Sequence, residues 1–89
     1  MTPEQEVQRG ELARQVIENP IYQEAMTATK AKLFDEWAST KWYQHKKRQE
    51  IWRMYRAAES VESSISRVMT AGKFGRQTID SKQRLNNAR

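Results

Sequence analysis

From Gln44 to Ala71 the apolar residues Ile51, Met54, Ala58, Val61, Ile65 and Val68 recur at spacings of three and four. That spacing keeps one side of an α-helix turned toward a partner, and it predicts a helix of about 28 residues, roughly 42 Å long at 1.5 Å per residue. Every other segment has to accommodate this element. Gly72 follows the last periodic residue, where a left-handed glycine ends many helices, so the expected stop falls at Ala71. Ser60, Ser63, Ser64 and Ser66 crowd the second half; they lower intrinsic helicity but let another helix come close.

The preceding segments read as shorter helices. Thr2-Pro3-Glu4-Gln5 offers a hydroxyl cap, a proline at the first helical position and a glutamine able to reach back to the cap. A first helix is expected from Pro3 to about Glu18, with Val7, Leu12, Val16 and Ile17 as its large apolar residues. Gly10 costs about 1 kcal/mol relative to alanine inside a helix, so Met1 to Gly10 is expected to fray unless a partner orders it. Asn19-Pro20 then breaks and restarts the helix, with Asn19 as the new cap. The second helix reaches about Ala38, presenting Tyr22, Met26, Thr29, Leu33 and Trp37 on one side while Gln23, Glu24, Lys30 and Lys32 point away. Phe34 lies off this stripe, three residues from Trp37.

Ser39-Thr40-Lys41-Trp42-Tyr43 lacks periodicity and holds hydroxyls suited to capping the next helix. A short turn there favours antiparallel neighbours. The expected fold is therefore all-α: a helical hairpin of two long antiparallel helices with an additional N-terminal helix and a loose basic C-terminal tail. Helices are expected over 3–18, 20–38 and 44–71, within a single domain of residues 1–80, followed by a flexible tail over 81–89.

Charge is unevenly distributed along the chain. The net charge of +5 divides into −3 over residues 1–40, +5 over 41–56, −1 over 57–72 and +4 over 73–89. Clustered cations create a local potential that scattered ones do not, which points to nucleic acid or an acidic protein surface as a contact. Only 37% of residues are hydrophobic, and a chain of 89 residues hides too little surface to be generously stable alone, so a partner chain is expected. The three Trp, three Tyr and two Phe nevertheless argue against a disordered chain. No run approaches membrane-spanning length and no basic start leads into an apolar core, so neither a membrane nor a secretory route is expected.

Residues able to do chemistry do not converge. With no cysteine and one histidine, the chain has neither a disulfide framework nor a thiolate or paired-imidazole metal site. His45 in His45-Lys46-Lys47-Arg48 reads as part of a solvated helix face. Asp35-Glu36 and the Glu59, Glu62 pair lack a cleft that would shift their pKa values. The serines near Ile65 lie roughly 30 Å along the same helix from His45, which removes serine catalysis. Gly72-Lys73-Phe74-Gly75-Arg76 lacks phosphate-loop spacing and a preceding strand. No enzyme, cofactor or small-molecule substrate is expected. The one functional constellation is Lys41-Trp42-Tyr43 with Lys46, Lys47, Arg48, Trp52, Arg53 and Arg56, cations interleaved with aromatics that can stack on bases or cover apolar surface.

Glu18-Asn19-Pro20-Ile21-Tyr22-Gln23-Glu24-Ala25, Asp35-Glu36-Trp37, then Arg48, Ile51 and Trp52, and finally Ala71-Gly72-Lys73 together resemble small uncharacterised proteins encoded among the head and packaging genes of tailed bacteriophages. The resemblance covers about Arg14 to Ile79. It implies a non-enzymatic virion or assembly protein, made in the host cytoplasm and carried in the virion. Expected partners are further copies of itself and larger capsid, neck or packaging proteins, met through Phe34, Trp37, Trp52, Tyr55, Ile65 and Val68. Lys41, Lys46, Lys47, Arg48, Arg53, Arg56, Lys73 and Arg76 are the candidate contacts to DNA phosphates or acidic protein. The alternative is a soluble nucleic-acid-binding accessory factor of packaging or host takeover, acting through Lys41 to Arg56 and the tail.

Overall fold

The structure, a computed structural model, describes residues 1–87. These are all-helical: α1 (Pro3–Glu18), α2 (Pro20–Ala38) and α3 (His45–Asn87). The first two helices begin where local chemistry predicts. At α1, Gln5 N–H donates to Thr2 Oγ1 (3.2 Å) and Thr2 N–H donates to Gln5 Oε1 (3.0 Å), a reciprocal box that satisfies otherwise orphaned donors. At α2, Asn19 is extended (φ −67°, ψ 122°), and its Oδ1 accepts from Ile21 N–H (2.9 Å) and Tyr22 N–H (3.1 Å). Asn19→Ala is expected to lower stability by about 1 kcal/mol through loss of this cap. Urea denaturation followed by circular dichroism checks it, and an unmoved midpoint at unchanged slope would show that the cap contributes nothing.

Between α2 and α3 the hydroxyls do not cap the following helix as expected. Ser39 Oγ donates to Asp35 C=O (2.9 Å) and Thr40 Oγ1 to Trp37 C=O (2.6 Å), so both satisfy carbonyls that the end of α2 leaves open. Gln44 approaches α3 differently, accepting at Oε1 from Lys41 N–H (2.7 Å).

The largest correction concerns α3. It does not stop at Ala71 but runs through Gly72 and Gly75 to Asn87, 43 residues in all, or about 64 Å. Neither glycine has a positive φ, so neither ends a helix; both are needed because α1 lies against them. A Cβ on Gly72 would sit 2.8 Å from Gly10 Cα, and one on Gly10 would sit 2.7 Å from Gly72 Cα. The residues expected as a loose tail are accordingly helical through Asn87, while Ala88 and Arg89 lie outside the described residues.

By its contacts the chain divides into two compact units. One joins Met1–Glu18 to α3 from Ser64 onward. Its contacts run in opposite chain directions, with Gly75 near Pro3 and Glu6, Gly72 on Gly10, and Ile65 and Val68 beside Ala13 and Val16. Gly10, Ala13, Gly72 and Gly75 are buried there, so the residue expected to weaken α1 is the one that seats it. On the outer side of α1, Arg14 pairs with Glu11 and Glu18. The Arg14 hydrogen bond holds the Glu11 carboxyl below its ordinary pKa, and the same bond raises that of Arg14.

The other unit, Asn19–Ser63, pairs α2 with the beginning of α3. Arg48 lies over Trp37, Ile51 and Tyr55 line one groove with Leu33, and Lys30 Nζ meets Glu62 Oε1 at 2.7 Å. Rising numbers on α3 thus meet falling numbers on α2. Lys30, expected to point away, faces α3; the hydrogen bond it donates to the Glu62 carboxylate raises its pKa. The seam shifts phase to match: Met54 (56% exposed) and Val61 (51%) stand in solvent, while Tyr55 and Glu62 are half-buried in their place. A three-and-four pattern permits either register, and the lysine on α2 needs a carboxylate opposite it.

Candidate interaction site

Four of the aromatic residues singled out by sequence come together in the unit of residues 19–63. Phe34 and Trp37 are three apart on α2, Trp52 and Tyr55 three apart on α3, so each pair shares one helix face. The rings of Phe34 and Trp37 stack with centroids 6.4 Å apart, those of Trp52 and Tyr55 at 6.1 Å and nearly parallel. Between the pairs lies an open groove of about 610 Å³, floored by Leu33 and Ile51 and rimmed by Arg56 and Glu59. Phe34 is 61% exposed and Trp52 56%. Sequence reasoning named Arg56 only as a phosphate or acidic-surface contact and missed Glu59 and Leu33 as parts of this groove; the three-residue spacing of Arg56 and Glu59 was the available signal.

Two of the cations expected to meet phosphates are engaged within the chain. The Arg48 guanidinium lies 4.1 Å from the centre of the Trp37 ring and donates to Thr40 Oγ1 (3.0 Å), a cation–π and hydrogen-bond pairing that holds the end of α2 against α3. Arg56 donates to Glu59 Oε1 (3.2 Å) and lies 5.9 Å from the Trp52 ring centre. Lys47 lines a separate groove of about 810 Å³ that also carries Asp35, Glu36 and Glu50. Lys41, Lys46 and Arg53 are exposed in the same unit, and Lys73 and Arg76 are exposed in the other. The basic stretch of the sequence is therefore not one basic surface. Trp42 and Tyr43, 79% and 61% exposed, meet edge to face in the turn, 5.7 Å between centroids.

No family model, curated protein or solved structure matches the chain.

Ile65 and Val68, the remaining apolar candidates, fall in the unit of α1 and the later part of α3. There they border a smaller groove of about 270 Å³ with Leu12, Ala13 and Val16. Among the described residues no group of three His, Cys, Asp or Glu side chains is placed to hold a metal ion. Likewise, none of the described helices is long and apolar enough to cross a membrane. The two apolar grooves are the chemically distinctive surfaces: open, lined by aromatic or aliphatic groups, and able to bury such groups from another protein.

Proposed function

We propose that this chain is a non-enzymatic structural or assembly protein of a tailed bacteriophage, a small multi-copy helical component that fastens to capsid, neck or packaging proteins. Its architecture in this reading is a helical hairpin of α2 and α3 with α1 as an additional N-terminal helix. The observation that carries the proposal is the poverty of the core beside the wealth of the surface. Among the described residues only Ala13, Leu33 and Ile51 are buried apolar side chains other than glycine, whereas Leu12, Phe34, Trp52, Met54, Val61 and Phe74 are all more than half exposed. Aromatic residues left in water at that density are the composition of interface cores rather than of free surfaces. The phage setting itself rests on the resemblance of the motifs from Arg14 to Ile79.

In this reading the grooves dock on neighbouring proteins, and the exposed Lys41, Lys46, Arg53, Lys73 and Arg76 meet acidic capsid surface or packaged DNA. The test is quantitative mass spectrometry of particles and packaging complexes purified from infected cells through a high-salt wash. Salt strips contacts made mainly to phosphates and spares apolar docking. Retention of the chain at a fixed stoichiometry is the expected result, and its absence from both fractions would overturn the proposal.

A further inference from the structure

We infer that the aromatic groove of residues 19–63 is closed by the same groove of a second copy, forming a two-fold symmetric dimer. The inference rests on reading the chain as an interaction protein and names the occupant of one of its surfaces.

Area is the first argument. With aromatic side chains offering about 150–250 Å² each, the exposed fractions of Phe34, Trp37 and Trp52 (61%, 37% and 56%) leave roughly 300 Å² of ring surface in water per copy. Two such faces, with Tyr55 and the rim side chains of Arg56 and Glu59 added, approach the roughly 1,000 Å² at which a specific interface begins. A second copy supplies the facing surface from residues that this chain itself leaves exposed.

Charge selects the same occupant. The rim carries one cation and one anion, Arg56 and Glu59, paired with each other and 63% and 39% exposed at their side chains; Arg48 is already committed to Trp37 and Thr40. The rim is therefore neutral in sum, and a nucleic acid or strongly acidic segment would meet Glu59 as surely as Arg56. A two-fold axis through the groove at the level of these residues sets the two α3 helices antiparallel. Arg56 of each copy then comes within side-chain reach of the other copy's Glu59, exchanging each intrachain pair for a less hydrated interchain one. An isologous contact of this kind is self-complementary and closes on itself.

The test exploits that reciprocity. Arg56→Glu places two acids opposite each other twice in the homodimer, and Glu59→Arg places two bases there; mixing the variants restores opposite charges at both contacts. By sedimentation equilibrium at micromolar to submillimolar concentration, the unmodified chain is expected to dimerise. Each variant alone is expected to bind itself about tenfold more weakly or worse, and the equimolar mixture to regain dimer. Phe34→Ser, at a position that the single chain leaves mostly exposed, is expected to weaken dimerisation similarly while circular dichroism stays unchanged. A monomeric parent chain, dimers indifferent to all three substitutions, or a mixture no better than its components would each overturn the inference. Retention on washed particles by a monomeric parent chain would overturn the dimer alone, whereas an intact dimer missing from particles and packaging complexes would overturn only the functional proposal.

Discussion

Gly72→Ala is expected to destabilise the chain by about 1–2 kcal/mol, although helix propensity alone predicts a gain of about 1 kcal/mol for replacing a glycine inside a helix. The sign is decided by what the new methyl group meets. Its carbon would lie 2.8 Å from Gly10 Cα and 3.0 Å from the Glu6 carbonyl oxygen, both backbone atoms that cannot rotate aside, so α1 has to move. Because Gly10 and Ala13 are among the few buried positions on α1, a shift of the whole helix sacrifices most of what holds it. Gly72→Leu should go further and release α1, with a loss of helical signal in circular dichroism. Ser64→Ala, at an exposed position on the same helix, is the control for propensity and should be neutral or slightly stabilising. A Gly72→Ala variant that melts higher than the parent would show that the close crossing of α1 and α3 does not exist in solution.

The same glycine marks where sequence reading reached its limit. Thr2 with Gln5 and Asn19 with Pro20 were legible because each cap is settled by residues within four positions of one another. Gly72 was not legible, because its role depends on Gly10, far away in the chain and adjacent in space. A glycine after a periodic run is a stop if nothing lies against it and a contact point if another helix does. The phase of α3 was ambiguous for a related reason. After Ile51 the next inward residue can be Met54 or Tyr55, and after Ala58 it can be Val61 or Glu62; hydrophobicity favours the first of each pair. The helix takes the second, since Lys30 on α2 stands within 2.7 Å of Glu62 and a half-buried ammonium without a carboxylate would be costly.

The candidate site was legible in its parts and not in its assembly. Phe34 and Trp52 stood out as aromatics beside their helices' stripes, and such positions flank a seam on whichever side the partner leaves open. That they flank the same side follows from the relative rotation of α2 and α3, which local patterns do not encode. Arg48 shows the opposite outcome, since it sits in the most basic stretch of the sequence yet stacks on Trp37 and bonds Thr40. Cations written consecutively on a helix point in different directions. Lys46, Lys47 and Arg48 accordingly reach open solvent, an acid-lined groove and an aromatic ring.

Ile51 carries the second large effect. Only 6% exposed, it lines both the aromatic groove and the acid-lined groove of its unit, so it is the wall between them. Ile51→Ala removes that wall and is expected to cost about 2–3 kcal/mol, the lower part of the range for such truncations because water can enter the opened space. In a chain with so few buried apolar residues, that is a large share of the few kcal/mol a small domain commands. Met54→Ala, one turn along α3 but 56% exposed, should cost less than about 0.5 kcal/mol. All three tryptophans, Trp37, Trp42 and Trp52, lie between residues 19 and 63, so intrinsic fluorescence during urea titration reports on this unit while circular dichroism reports on every helix. The expected result is a fluorescence midpoint that falls sharply for Ile51→Ala and stays in place for Met54→Ala. Equal losses at the two positions would return the seam to the Ile51, Met54, Val61 phase and remove Tyr55 from the inner face of α3.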